Sequence, residues 1–523
     1  MSGWGWRYWL VLLAVLVVLP IRALAQFGAQ PIAPDGIPSA TPTPTACPVS
    51  PSPTPTPTST ATVSAILFAP AVVTLDNPTT PGTKTQSTSF SVMVTAYDNN
   101  GNVLEPSDGN PLSIRIDGAP EGSITPVIRK LKQGDVAKFE YSGKYFPKPI
   151  NVEAWMKIPN GTPSAGTYAM GMTQILGQNT NACAYAAKSV PLVVDCNGNT
   201  PDQCATANIT SPAGVQVMAA VGYADARKAT FNPYTVDTGS LGVIVPMSDL
   251  PKGKNADWIG PGPPGMKAYT SNGGNSFTGN YYLAPVDFQL SKGAIKTSRI
   301  MVLVLTPGQQ NLRYLGIGFN RENSAFEDLF QTPADNAFLH LTDKSNGTDI
   351  SPGYYVGGAS IALGITSTDG YNLIPLTTTR AKALGEYGDA SGCFNFPGAD
   401  NPGPFCGDML FDMGIEDMYL GLDDFQRPDG YNTGGVVTSG DVVNIIGGSP
   451  SSQALCYSFT AGVTSLITPS AANWTQPPTP CGVFFNTGRR ALAAYNYMYD
   501  ATCGNVGFEP LTEPLAPADC EAP

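Results

Sequence analysis

A single histidine, His340, serves all 523 residues. Any Ser–His–Asp or Cys–His mechanism would have to run through it, and a His-rich metal site is excluded. In "NAFLHLTD" it alternates with apolar neighbours as a strand residue would, so it reads as a satisfied structural side chain. No metal or cofactor is implied. Charge is scarce too, at 13% of residues. It is acidic in balance, with 28 Lys+Arg against 40 Asp+Glu, net −12, and there is no long basic run. That argues against a nucleic-acid surface. Long apolar runs are missing after the N-terminus. Leu10 to Leu19 is too short to span a bilayer comfortably. With Arg7 before it and Ala23-Leu24-Ala25 after it, residues 1–25 read as a secretory signal. The mature chain is therefore expected to lack a transmembrane span and to be secreted, periplasmic or at the cell surface.

Helical periodicity is also thin, while Gly (56) and Pro (49) are abundant, so the fold class is mostly β. Residues 26–61 are rich in Pro, Thr and Ser and form a linker that cannot bury a core. From 62 to 175, short alternating strands predict an antiparallel sandwich: "SFSVMVTAYDNNGNVL" puts Phe90, Val92, Val94 and Ala96 on one face and turns at Asn99-Asn100-Gly101, and "DVAKFEY" and "INVEAWM" alternate likewise. This stretch resembles the immunoglobulin-like modules of bacterial surface proteins. "RKLK" (129–132) is a solvated edge rather than a binding patch. Residues 176–212 are a Cys-containing connector or the first strands of the next domain. Ten cysteines after an export signal imply disulfides, with Cys393/Cys406 and Cys456/Cys481 as the short loops expected to close.

Two short loops carry the chemistry. "FNPYTVDTGSLGVIVP" (231–246) breaks a run of β-formers at Asp237-Thr238-Gly239-Ser240. "CGDMLFDMGIEDMYLGL" does the same at Asp412-Met413-Gly414-Ile415. They share apolar-apolar-Asp-x-Gly, at 237 and 412, 175 positions apart. Two carboxylates brought together cannot both ionise, so one keeps a proton; the charged one can activate water and the protonated one can polarise a carbonyl. Glycine after each Asp-x allows the loops to approach.

With these loops, the chain from 213 to about 510 resembles a pepsin-like, two-lobed aspartic peptidase. "SFTGNYYLAPVDF" (276–288) resembles the strand leaving the flap. "YLGIGFN" (314–320) resembles the segment packing under the first loop. "GYYVGGASIALGITSTDGYNLIPL" (353–376) resembles the hairpin opening the second lobe. In "CGVFFNTGRRALAAYNYMYDATCGNVGFEP", Gly482-Val483-Phe484-Phe485 matches the second packing strand and Val506-Gly507-Phe508 the final one. "GVFFNTGR" looks like a bacterial branch of the fold. The resemblance implies a domain at 213–512, with lobes of about 213–350 and 351–512, and a tail at 513–523.

It also implies roles. Asp237 and Asp412 are the catalytic pair, and Gly239 and Gly414 the glycines beneath them. Thr238 makes a cross-lobe grip, and Ser240 bonds the outer oxygen of Asp237. A flap tyrosine falls at Tyr269 if "SNGG" holds an insertion; ungapped counting reaches Asn272. The second loop departs from the family, with Met413 and Ile415 where hydroxyls belong. Half of the grip is then missing. Losing a hydroxyl beside Asp412 makes Asp412 the expected protonated partner and Asp237 the base.

The expected function is a secreted aspartic endopeptidase acting on protein or peptide substrates. The alternatives are a catalytically inactive pepsin-like binding module, which Met413 and Ile415 favour, and a surface spacer or adhesin. For the latter, the linker and sandwich would provide cell-surface association.

Overall fold

The computed structural model describes residues 66–511 except 70–72, 77–82, 120, 133–134, 145, 147–149, 164–165, 178–188, 270–274, 309–311, 320–334, 343–349, 378–386, 450–451 and 480. The signal segment, the linker and the tail lie outside the described residues. Strands dominate, and one α-helix, α1 (Pro201–Thr210), is present among the described residues. No described helix is long and apolar enough to cross a membrane.

Residues 66–177 form two five-stranded sheets around one apolar core. The alternation of Ala137–Tyr141 turns Ala137, Phe139 and Tyr141 inward and leaves Lys138 and Glu140 in solvent. Val92 and Ala96 are buried, and Phe90 and Val94 pack against the same core. The turn at Asn99–Gly101 is held by the Asp98 carboxylate, which accepts from Asn100 N and Asn102 N, both at 2.8 Å. The "RKLK" strand, Ile128–Leu131, lies at a sheet edge.

Ile150–Lys157 does not alternate as the sequence suggested. Asn151 and Glu153, on its outward face, are as buried as the core. The chain after residue 200 covers that face. Asn151 Nδ2 donates to Ser298 Oγ at 3.2 Å, Arg299 Nη1 meets Glu153 Oε1 at 3.3 Å, and the Arg299 guanidinium lies over the Trp155 ring. Backbone N–H groups of Thr167 and Tyr168 also donate to Pro261 O.

The rest of the chain contains one topology twice. The first copy comprises β1 (Gln216–Val221), β2 (Asn232–Asp237), β3 (Leu241–Pro246), β4 (Pro264–Tyr269), β5 (Asn275–Ala284), β6 (Val286–Gln289), β7 (Ala294–Thr297), β8 (Ile300–Leu305) and β9 (Tyr314–Ile317). The second comprises β10 (Ala390–Asn395), β11 (Phe405–Leu410), β12 (Met418–Gly421), β13 (Asn432–Thr433), β14 (Val436–Val437), β15 (Val442–Ser449), β16 (Ser452–Thr460), β17 (Ala472–Thr475) and β18 (Phe484–Asn486). Sheet order is β4-β5-β8-β3-β9-β2-β1-β6-β7 in the first and β13-β14-β17-β12-β18-β11-β10-β15-β16 in the second. Each strand has its counterpart nine places later. Pairing senses agree as well: β9 runs parallel to β2 and antiparallel to β3, and β18 runs parallel to β11 and antiparallel to β12. Leu341–Thr342 adds a tenth strand to the first sheet only.

A six-stranded sheet draws on chain from before, between and after the two copies: Val190–Pro191, Ser360–Leu363, Gly353–Gly357, Tyr495–Asp500, Asn505–Pro510 and Asn372–Pro375, in that order. The segment read as a connector thus supplies an edge strand and α1. The helix starts at Thr200-Pro201, where Thr200 N donates to Gln203 Oε1 at 3.2 Å and Pro occupies the first turn. Cys196–Cys204 pins that start. Cys393–Cys406 forms as expected, joining β10 to β11. Cys456 and Cys481 are both disulfide-bonded, though their pairing is not among the described bonds. His340 is buried, but it ends a 3₁₀ turn (Ala337–Leu339) rather than sitting within a strand, because the side chain of Asn336 accepts from Phe338 N and starts that turn.

Candidate active site

Each copy of the topology ends its second strand in one of the two Asp-x-Gly loops. β2 runs into Asp237, whose backbone lies opposite Gly316 on β9; Gly242 on β3 pairs with the same glycine. A Cβ on Gly316 would strike the backbone of Leu241, so the middle strand can slot between β2 and β3 only with glycine there. In the second copy β11 ends at Leu410, and Phe411 carries the chain to Asp412. The glycine corresponding to Gly316 is Gly488. The register shows this: Tyr314 lies opposite Thr235 and Ile244, and Asn486 opposite Leu410 and Tyr419. Thr235 and Leu410 each stand two residues before an aspartate, and Gly316 and Gly488 each follow two residues after the paired side chain.

The two loops face each other, and their glycines show it reciprocally. A Cβ built on Gly239 would collide with the carboxyl group of Asp412, and one on Gly414 would collide with that of Asp237. Both aspartates are buried, at 3% and 6% exposure. Each carboxylate accepts from its own loop: Gly239 N donates to Asp237 Oδ1 at 2.7 Å and Gly414 N to Asp412 Oδ1 at 2.9 Å. Thr238 grips the opposite loop twice. Its Oγ1 donates to Phe411 O at 2.5 Å and accepts from Met413 N at 3.0 Å. Met413, fully buried, has no hydroxyl to return the grip. The six-stranded sheet supports both loops: Tyr354 Oη donates to Ile317 O at 2.8 Å, and Phe411 stacks on Tyr497 with ring centres 4.5 Å apart.

One expectation is corrected here. The Ser240 hydroxyl is buried without a hydrogen bond of good geometry; it lies near enough to Asp237 only to favour the charged form modestly. The two carboxyl groups are buried together, so they share a proton. Burial, and next the charge of Asp412, push the Asp237 carboxyl well above the usual range, against the pull of Ser240 and Gly239. Asp412 has not lost its second support: Asn486 Nδ2 donates to Asp412 Oδ2 at 2.8 Å.

Sequence reasoning missed three residues. Asn486 and Tyr314 come from register-equivalent positions on the two middle strands, and the Tyr314 hydroxyl lies beside Gly414. Arg489, at 1% exposure, is buried behind the second loop. The signal available for all three was position: Tyr314 opens the matched segment "YLGIGFN", and Asn486 and Arg489 follow Phe485 by one and four residues. Tyr269, the residue expected at the flap, ends β4, where its backbone pairs with Asn275 on β5. The side chain of Tyr269 and all of Asn272 lie outside the described residues.

No protein-family model matches the chain, and no curated protein matches it. Among solved structures, an aspartic proteinase from Irpex lacteus is similar at 15% identity, over 62% of this chain and 97% of that one, with a TM-score of 0.39. So loose a likeness carries no argument about this chain.

Proposed function

We propose that the chain is a secreted aspartic endopeptidase of two-lobed, pepsin-like build, preceded by an immunoglobulin-like sandwich. The observation that carries this reading is the reciprocal seating of each loop's glycine under the other loop's carboxylate, in two copies of one topology. The lobes fall at about 213–350 and 351–512 of the sequence, with the helix and the strand before them as additions. The sandwich serves as a spacer on the first lobe. Residues 1–25 direct export, and the linker extends the molecule from a cell surface or into the medium.

Hydrolysis then proceeds through Asp237 and Asp412. A water between them loses a proton to the Asp412 carboxylate as its oxygen attacks the scissile carbonyl carbon, and Asp237 gives its proton to the carbonyl oxygen. On collapse, the C–N bond breaks, the leaving nitrogen takes the proton from Asp412, and a hydroxyl of the adduct returns one to Asp237. Peptide plus water becomes acid plus amine, and the pair is restored. The substrate lies extended across both loops, under the β4–β5 hairpin.

The test is incubation of the purified protein with denatured protein at about pH 3–6, with and without pepstatin. Inhibitor-sensitive cleavage supports the reading. An intact, folded protein that cleaves nothing under these conditions leaves a binding module on the same scaffold.

A further inference from the structure

Asp412 sits in a loop stripped of both hydroxyls that its counterpart carries in Thr238 and Ser240. Two polar side chains arrive instead from 74 and 77 residues further along, on the corner where β18 turns into the 3₁₀ segment Arg489–Ala493. Asn486 reaches the carboxylate directly, and its Oδ1 accepts from Gly488 N at 3.0 Å, which fixes the amide with its NH2 toward Asp412. Arg489 reaches the backbone behind it. Its guanidinium donates to Met413 O (3.5 Å), Gly414 O (3.3 Å), Ile209 O (3.3 Å) and Ser211 O (2.6 Å). The last two are carbonyls at the C-terminal end of α1, where a cation is favoured.

All four acceptors are neutral. Among the described residues no carboxylate forms an ion pair with it; a buried guanidinium so placed is costly unless its donors are satisfied, so this one holds its place by binding the loop. Gly214, at φ +64°, makes the room: a Cβ there would come within 2.8 Å of Arg489 Nη1. Arg489 N also donates to Ile415 O at 2.9 Å.

We propose that Asn486 and Arg489 are positioning residues of the aspartate pair, replacing from behind the second loop the hydroxyls that Met413 and Ile415 lack. Asn486 orients the Asp412 carboxylate, and Arg489 ties the backbone of Met413 and Gly414 to α1. The inference rests on the peptidase reading for its kinetic consequence but not for its structural one. The charged and titratable groups facing Asp412 are Asp237, Tyr419 and Arg489. Those facing Arg489 are Glu416, Tyr314, Asp412 and Arg490. Among these, Asn486 supplies a neutral donor aimed at the carboxylate, which favours its charged form.

The decisive experiment is the pH dependence of kcat/KM for Asn486→Ala, alone and with Ile415→Ser. A lost hydrogen bond to a charged group lowers kcat roughly 10- to 100-fold with KM little changed, and moves the acid limb to higher pH. Ile415→Ser restores a local hydroxyl and should return both. Arg489→Lys keeps the charge but loses the fork, and should lower kcat without moving the limb. Where Asn486→Ala fails to fold, Asn486→Leu fills the space and gives the same comparison. A parallel readout needs no turnover: 13C NMR of aspartate-labelled protein, with Asp412 assigned by Asp412→Asn, should show the Asp412 carboxyl titrating at higher pH once Asn486 is gone. An unmoved Asp412 titration, or an unmoved acid limb, overturns the proposal. Absence of cleavage with a moved titration overturns the peptidase reading alone.

Discussion

Thr238→Val removes one hydroxyl and almost nothing else, and the cost can be worked from its two partners. Thr238 is 2% exposed, Phe411 5% and Met413 0%, so no water is at hand to replace either bond. Losing Oγ1 strands Phe411 O and Met413 N, each at about 1–3 kcal/mol for an unsatisfied buried group, hence about 2–6 kcal/mol in all. Thr238→Ser keeps both bonds and loses one buried methyl, about 1 kcal/mol. The difference between the two variants therefore isolates the grip. Denaturant unfolding followed by tryptophan fluorescence, with midpoints compared at equal slopes, measures it. The gap should be wide because Met413 cannot supply a second grip. If the Val and Ser variants unfold within about 0.5 kcal/mol of each other, the cross-loop bonds do not hold the two loops together.

Gly414→Ala should abolish cleavage while leaving far-UV circular dichroism nearly unchanged, because its Cβ would displace the Asp237 carboxyl group; an active variant would contradict the reciprocal packing. Removing Cys393–Cys406 frees a loop of 13-residue separation between β10 and β11, the strand that leads to the second aspartate, and should cost about 3 kcal/mol of unfolding free energy. Burial pushes Glu153, on the covered face of the sandwich, up to about 8 from 4.5, against Arg299 and Arg115 and with Asp117 and Asp257 nearby. A carboxyl whose folded pKa is raised stabilises the fold fully below about 4.5 and loses that contribution as pH climbs through about 8. Glu153→Gln should therefore flatten the pH dependence of the melting temperature over that window; an unchanged slope would show that Glu153 does not govern it.

Much of the architecture was legible because its constraints are local. An aspartate needs a glycine two residues on where another loop approaches, and Asp237/Gly239 and Asp412/Gly414 both display it. Strand alternation marked Ala137–Tyr141 and the Thr88–Tyr97 strand correctly, since one face of each meets solvent. It failed for Ile150–Lys157, because a neighbour covers the second face and buries Asn151 and Glu153. Helix α1 was overlooked although Thr200, Pro201 and Gln203 signal a start; its faces carry no strong apolar stripe. The surroundings of Asp412 were hidden for a different reason. The local sequence shows the hydroxyl that Ile415 removes, but not the Asn486 amide that a distant strand returns.

The central claim is that Asp237 and Asp412 act as one unit, and single and double substitutions test it most directly. Asp237→Asn, Asp412→Asn and the double variant should each lose cleavage to the same floor, because neither carboxylate works without the other. If either single variant retains substantial inhibitor-sensitive cleavage, or if the double variant falls well below both, the two aspartates do not form a catalytic pair.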